Sequence, residues 1–230
     1  MAQLPLRLHY PPEQRFESYF GAAPGLLQQL RALATSRGGW LYLGGASGSG
    51  KTHLALALCA EADRNGRRSA YLPLQAAGNR LQDALDALEN SDVIALDGLE
   101  TIAGHHADEV ALFDFHNRVH SSGRSSVLYT ACAAPDALPL SLPDLRSRLA
   151  QCARVSLTPL DDAGRRAVLR DRAARRGFAL DDAAIDWLLT HVDRDVAGLL
   201  AILETLDRES LAAQRRITVP FLRQVLSAKS

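Results

Sequence analysis

The strongest chemical signal in the sequence is the glycine-rich octapeptide GASGSGKT at residues 45–52, which matches the pattern GxxxxGK[ST]. It follows an apolar run at 41–44 that predicts a strand, and it precedes a predicted helix over 53–62. Glycines let backbone N–H groups converge on phosphate oxygens, and a helix N-terminus adds a positive partial charge. We therefore predict a phosphate-binding loop (P-loop) that holds ADP or ATP, with Lys51 reaching the β- and γ-phosphates. The predicted nucleotide-binding residues of this loop are Gly45, Gly48, Ser49, Gly50, Lys51, Thr52 and His53.

Oxygen ligands for a magnesium ion are predicted at Thr52 and Asp97. Asp97 ends the apolar run Val93–Asp97, and P-loop proteins place an acidic magnesium partner at the end of a buried strand. In many ATPases of this type a second carboxylate follows directly and orients the attacking water. Here that position is Gly98, and the next acid is Glu100. We therefore expect intrinsic ATP hydrolysis to be weak at most.

Three further positions each have two interpretations. Thr130 lies near the end of an apolar predicted strand, where its hydroxyl could sense the γ-phosphate or could simply belong to a β-branched strand residue. Arg146 and Arg148 lie in the segment LPDLRSRL at 142–149, whose leucines bury one helix face. Either arginine could serve as an arginine finger, but the pattern alone favours a solvated charge. Arg194 could reach the nucleotide or could be a surface charge between two acids.

Strands alternate with helices as far as residue 157, which predicts an α/β fold with a parallel sheet covered by helices on both faces. After Thr158–Pro159 only helical patterns follow. We therefore divide the chain into an extended arm at 1–12, a P-loop α/β domain at 13–158 and a small all-helical lid domain at 159–230. Strands are predicted at 40–44, 70–74, 93–97, 126–131 and 154–157, and helices at about 23–36, 51–65, 79–89, 108–121, 143–150, 161–176, 182–192, 194–213 and 219–227.

The composition is that of an ordinary globular protein, with 230 residues, 47% of them hydrophobic and 23% charged. The formal net charge is zero, which argues against a protein that works mainly on duplex DNA, because neutralised phosphates supply much of DNA affinity. The cysteine count of 3, with no CxxC pair, predicts neither a disulfide framework nor a zinc site. No signal peptide and no long apolar segment is evident. We therefore expect a cytoplasmic protein without a membrane partner.

The P-loop, the strand that ends in Asp97, Arg148 and Arg194 together resemble the AAA+ module of the DnaA/Hda family, over essentially the whole chain. The run at 176–226 is especially similar to the Hda branch of that family, and it ends where DnaA would continue into a DNA-binding domain. The resemblance implies an AAA+ fold with a helical lid. It also implies that Arg148 acts as an arginine finger in trans and that Arg194 is a lid arginine close to the nucleotide. Residues 16–20 correspond loosely to a linker that lies near the base.

The N-terminal segment QLPLRL at 3–8 resembles the short motif with which this family docks on the DNA-polymerase sliding clamp, the β subunit. The resemblance implies that Gln3 makes a hydrogen bond and that Leu6 and Leu8 fill an apolar pocket, with Leu4 beside them. An extended terminal arm suits this mode of docking.

The function implied by the resemblance is negative regulation of the initiation of DNA replication. The protein would hold ADP, sit on clamp loaded on DNA, and present Arg148 to the ATP bound by DnaA, whose hydrolysis inactivates DnaA. Contact with DNA would be mainly indirect, through the clamp. The sequence leaves open the resident nucleotide, a homo-oligomeric state, and the choice between Arg146 and Arg148 as the finger.

Two other functions are compatible with parts of the sequence. An autonomous ATP-driven helicase loader of the DnaC/IstB type would share the AAA+ core and also lack a terminal DNA-binding domain, but the arm at 3–8 argues against it. A small-molecule phosphotransferase would use the same P-loop, but it would need an acceptor site that the all-helical C-terminal region does not suggest.

Overall fold

The computed structural model describes residues 14–192, 196–213 and 216–227, with the side chain of Ala197 excluded. The chain divides into two compact units, Met1–Thr158 and Pro159–Ser230. In the first, five parallel strands form one sheet in the order β2-β3-β4-β1-β5. The strands are β1 (Trp40–Gly45), β2 (Ser69–Pro73), β3 (Val93–Asp97), β4 (Ser126–Ala131) and β5 (Ala153–Leu157).

Helices connect these strands and cover both faces of the sheet, because the central strands are apolar on both sides and each face needs a cover. Two separate hydrophobic clusters lie on the sheet, one around Leu54 and Leu58 and the other around Leu112 and Phe115. The helices are α1 (Leu26–Thr35), α2 (Lys51–Arg64), α3 (Leu74–Ala77), α4 (Leu81–Asp86), α5 (His106–Ser122) and α6 (Pro143–Ala150), and single 3-10 turns occur at Phe16–Ser18, Gly78–Arg80 and Leu99–Thr101.

The second unit is built from helices in its described residues, with a core of its own around Leu188, Leu203 and Phe221. Asp161 and Asp181 cap the first two helices, each accepting a hydrogen bond from the backbone N–H three residues later. The helices are α7 (Asp162–Arg175), α8 (Asp182–His191), α9 (Val196–Ala213) and α10 (Val219–Ser227). The predicted fold class, an α/β sheet followed by a small helical domain, is confirmed.

The largest departures from the predicted elements lie between β2 and β3. The strand predicted to end at Leu74 ends instead at Pro73, and Leu74 begins the short helix α3. The helix predicted over 79–89 is restricted to Leu81–Asp86, because Gly78 has a positive φ of 50° and the chain makes turns after Asp86. None of the described helices is long and apolar enough to cross a membrane.

Candidate functional site

The P-loop connects the carboxyl end of β1 to the start of α2, and it therefore lies at the carboxyl edge of the sheet. Gly48 and Gly50 have φ values of 73° and 90°, a left-handed conformation that glycine adopts without the strain of a Cβ atom. Gly50 is the N-cap of α2, so the helix begins at Lys51 with its free N–H groups directed to the loop. A concave loop of N–H groups at a helix N-terminus favours an anion.

Two buried polar side chains of the loop fit a phosphate group. Lys51 is only 9% exposed, and its ammonium donates to the carbonyl oxygens of Gly45 at 2.6 Å and Ala46 at 2.9 Å. It makes no ion pair with any carboxylate in the described part of the chain. The Ser49 hydroxyl is also buried, and it has no hydrogen-bond partner among the described residues. A buried cation without a counter-charge and a buried hydroxyl without a partner are both satisfied when phosphate oxygens occupy the loop.

Asp97 lies at the centre of a cluster of hydroxyl groups beside the P-loop. Its carboxylate accepts hydrogen bonds from Thr52 at 2.7 Å, from Tyr71 at 2.8 Å and from Thr130. Thr130 can reach Asp97 because β3 and β4 are neighbours, with Leu96 opposite Tyr129 in the register. The structure therefore brings together three predicted site residues from three elements. The oxygens of Thr52 and Asp97 are of the type that Mg²⁺ prefers.

Tyr71 is a site residue that the sequence analysis missed. It lies on the edge strand β2, and its hydroxyl donates to the same Asp97 oxygen as Thr52 does. Burial and the negative charge of Asp97 raise the pKa of Tyr71, so the hydroxyl keeps its proton. A lone tyrosine in a short apolar strand has no local signal, and only the register of β2 with β3 places it there.

The backbone conformation at Gly98, the residue after Asp97, disfavours a carboxylate side chain at that position. Gly98 has φ 89° and ψ 55°, and its N–H donates to the Thr130 hydroxyl at 3.0 Å. Most side chains would be strained in that left-handed conformation. Glu100 is directed elsewhere, since it accepts a hydrogen bond from the backbone N–H of Cys132 at 2.9 Å.

The segment before α1 packs on the P-loop. The Tyr19 hydroxyl donates to the carbonyl of Ser49 at 3.1 Å, and its ring lies so close to Gly50 that a Cβ there would meet it at 2.6 Å. His53 lies beside the same ring, with centroids 5.6 Å apart, and its Nε2 is 2.9 Å from the carbonyl oxygen of Arg15. The segment at 15–19 is thus bound directly to the loop and to the first turn of α2.

The two candidate finger arginines on α6 differ in their contacts. Leu145 and Leu149 are fully buried and anchor the helix. Arg146 folds back, and its Nη2 donates to the carbonyl of Leu140 at 2.5 Å. The guanidinium of Arg148 makes no hydrogen bond or ion pair with the described residues.

Several predicted site residues lie outside the described ranges, namely Gln3, Leu4, Leu6, Leu8 and Arg194. Their roles therefore stay predictions. Within the described residues, no group of three or more His, Cys, Asp or Glu side chains could hold a metal ion. Thr52 and Asp97 are thus the predicted protein ligands of a magnesium ion that would also need phosphate oxygens and water.

Comparison with known proteins finds a family match for the C-terminal helices and a shared fold for most of the chain. Residues 162–226 match the family model of the Hda lid domain. Domain III of the Thermotoga maritima replication initiation protein DnaA superposes with a TM-score of 0.80 at 20% identity, covering 95% of this chain and 98% of that one. DnaA from Aquifex aeolicus, in an AMPPCP-bound structure, gives a TM-score of 0.67 at 19% identity, with 90% of this chain and 69% of that chain covered.

A more distant match shows how widely the fold is shared. The Holliday junction branch migration motor RuvB from Thermotoga maritima gives a TM-score of 0.65 at 17% identity, covering 95% of this chain and 72% of that one. Likeness at such identities establishes the fold alone, and the Hda lid match at 162–226 adds the narrower relationship. The chain therefore combines a P-loop and a five-stranded parallel sheet with the fold seen in DnaA domain III, and its residues 162–226 match the Hda lid domain.

Proposed function

We propose that this chain is a cytoplasmic, nucleotide-binding negative regulator of replication initiation, which docks on the sliding clamp and stimulates hydrolysis of the ATP bound to DnaA. In this proposal Arg148 is an arginine finger supplied in trans. The observation that carries the proposal is the guanidinium of Arg148, which no described residue binds and which lies on a firmly anchored helix. A finger must hold its position and keep its donors available for a partner's phosphates, and Arg148 meets both conditions.

Arg146 is the weaker candidate for the finger. Its Nη2 is committed to the carbonyl of Leu140, so it would have to give up that bond before reaching a partner. We therefore assign the trans role to Arg148, whose guanidinium makes no hydrogen bond or ion pair with the described residues.

The chain's own P-loop has a binding role in this proposal. Lys51, Ser49 and the α2 N-terminus would hold the phosphates of ADP or ATP, and Thr52 and Asp97 would hold Mg²⁺. The bound ion would neutralise phosphate charge. Gly98 replaces the second carboxylate and Glu100 bonds to the Cys132 amide, so neither position supplies an acid that could orient water, and slow intrinsic turnover follows.

Docking on the clamp is assigned to the arm at 3–8, through Gln3, Leu4, Leu6 and Leu8. Arg194 is assigned to the chain's own nucleotide. DNA is then reached through the clamp, in keeping with the neutral net charge.

The direct test is phosphate release from ATP-bound DnaA, measured with this protein, ADP, Mg²⁺ and clamp loaded on DNA. We expect stimulation by the wild type and its loss in Arg148→Ala, because trans fingers contribute factors on the order of 10³–10⁵. Arg80→Ala is the matched control, since Arg80 is an exposed arginine of the same unit with 82% of its side chain accessible. It should stimulate as the wild type does.

A second variant separates docking from catalysis. Leu6→Ala with Leu8→Ala should abolish clamp binding and clamp-dependent stimulation, whereas Arg148→Ala should bind the clamp normally. If the wild type fails to stimulate release while single-stranded DNA accelerates its own ATP turnover, the regulator proposal is wrong and the helicase-loader function replaces it.

A further inference from the structure

A fully buried carboxylate, Glu109, lies in the first turn of α5. It accepts four hydrogen bonds. One oxygen takes the backbone N–H of Gly104 at 2.7 Å and of Ser141 at 3.0 Å. The other takes the Ser141 hydroxyl at 2.8 Å and the backbone N–H of Leu142 at 2.6 Å.

These bonds join two loops that are distant in the sequence. Gly104 precedes α5, whereas Ser141 and Leu142 lead into α6, which begins at Pro143 with Leu142 as its N-cap. Burial raises the pKa of Glu109, but the hydrogen bonds from Ser141, Gly104 and Leu142 outweigh it and lower the pKa overall. The carboxylate is therefore ionised, and a negative charge at the start of α6 is also favoured by the helix dipole.

The start of α6 is thus fixed from two sides. Glu109 holds Ser141 and Leu142, and Arg146 holds the carbonyl of Leu140 from within the helix. Leu145 and Leu149 fix the rotation of the helix by burying one face. Arg148 follows less than two turns after Leu142, so a shift at the helix start would displace its guanidinium.

We propose that Glu109 is a positioning residue for the trans reaction, which acts through α6 to hold Arg148 at the place where a partner's phosphates must meet it. This inference rests on the proposed function. Glu109 itself is buried and touches no substrate. A carboxylate is required because each of its two oxygens must accept bonds from two donors. In glutamine an NH₂ group would replace one of the two acceptors, so at least one backbone amide, that of Leu142 or those of Gly104 and Ser141, would lose its partner.

The test compares Glu109→Gln with Asp108→Asn, which removes a neighbouring charge from the same helical turn but leaves the four hydrogen bonds intact. In the DnaA–ATP assay we expect Glu109→Gln to lower stimulated release by on the order of tenfold to a hundredfold, as small displacements of a catalytic group do. Asp108→Asn should match the wild type. Affinity for ADP should stay unchanged in both variants.

Binding measurements distinguish positioning from general loss of structure. If Glu109 acts through Arg148, Glu109→Gln lowers stimulated release while its affinities for ADP and for the clamp match those of the wild type. Weaker binding of ADP or clamp by Glu109→Gln, or full stimulation by this variant, overturns the inference while leaving the proposed function in place. No stimulation by the wild type overturns the proposed function and this inference with it.

Ser141→Ala covers the case in which Glu109→Gln does not fold. It removes one of the four donors and keeps the carboxylate and all three amide bonds. We expect faster hydrogen exchange at the backbone amide of the substituted position and at that of Leu142, together with a smaller loss of stimulation and normal ADP binding. Unchanged stimulation despite faster exchange there would contradict the inference.

Discussion

Replacing Lys51 by alanine should abolish tight nucleotide binding with little effect on the ligand-free fold. The Lys51 ammonium is buried, and two backbone carbonyls are its hydrogen-bond partners among the described residues. Losing it in the ligand-free protein removes the cost of a buried charge along with two hydrogen bonds, so the two effects largely cancel. In the nucleotide complex the same change removes charge-assisted bonds to phosphate, which contribute about 1.5–3 kcal/mol each.

The size of the effect follows from these contacts. A loss of about 2.7 kcal/mol raises the Kd for ADP roughly a hundredfold. At an ADP concentration of about 100 times the wild-type Kd, ligand binding stabilises the wild type by about 2.7 kcal/mol and the variant by only about 0.4 kcal/mol. For a chain of this size, the corresponding increases in Tm are about 5–10 °C for the wild type and about 1 °C for the variant.

The assay combines titration calorimetry with thermal unfolding, each in the presence of Mg²⁺ and with and without ADP. Arg80→Ala is the control for the loss of one positive charge, because Arg80 is exposed on the surface. Wild-type affinity for ADP in Lys51→Ala would refute the assignment of the P-loop as the nucleotide site. A large drop in the Tm of the ligand-free variant would instead show that the two hydrogen bonds of Lys51 outweigh the cost of burying its charge.

Two more perturbations test the packing around the site. Gly50→Ala should lower the free energy of unfolding more than Gly66→Ala, because both glycines have a positive φ but only Gly50 lies against the Tyr19 ring. Equal losses in urea unfolding would show that the Tyr19 ring moves aside at no cost. His116, 4% exposed, has its pKa lowered to about 4 by burial and by the charges of His120 and Arg148. Because the unfolded chain takes up a proton on His116 more readily than the folded one, the free energy of unfolding should be greatest above pH 6.5. It should fall by about 3 kcal/mol as the pH is lowered from 6.5 to 4. His116→Gln should flatten that pH dependence, and an unchanged slope would contradict this origin.

The residues that sequence analysis identified are those whose signal is local. Five runs of strand-forming residues gave the five strands within one residue at each end. The signal is clearest in the inner strands β1, β3 and β4, because a strand buried on both faces is a continuous hydrophobic segment. The P-loop was recognisable because its glycines, lysine and threonine have a fixed spacing. Asp97 and Thr130 could each be predicted as candidate site residues because both lie at or near the carboxyl end of a predicted strand.

The residues that sequence analysis missed depend on contacts across long separations. Tyr71 reaches Asp97 from an edge strand whose side chains show no distinctive pattern. Glu109 looks like an ordinary acid in the first turn of a helix, where such residues are common. Only the loop that returns 32 residues later to Ser141 shows that it is buried and fully bonded. Local periodicity contains no information on such pairs.

The geometry around Asp97 separates binding a nucleotide from hydrolysing it. Among the described residues, the Asp97 carboxylate accepts side-chain hydrogen bonds from the hydroxyls of Thr52, Tyr71 and Thr130. These side chains would organise Mg²⁺ and phosphate. The position that would supply a water-orienting carboxylate is held by Gly98 in a left-handed conformation. A substitution to glutamate there would therefore face backbone strain as well as a new charge beside Asp97. A site arranged in this way favours a retained nucleotide, and the chemistry is then expected where a finger such as Arg148 meets a second, complete active site.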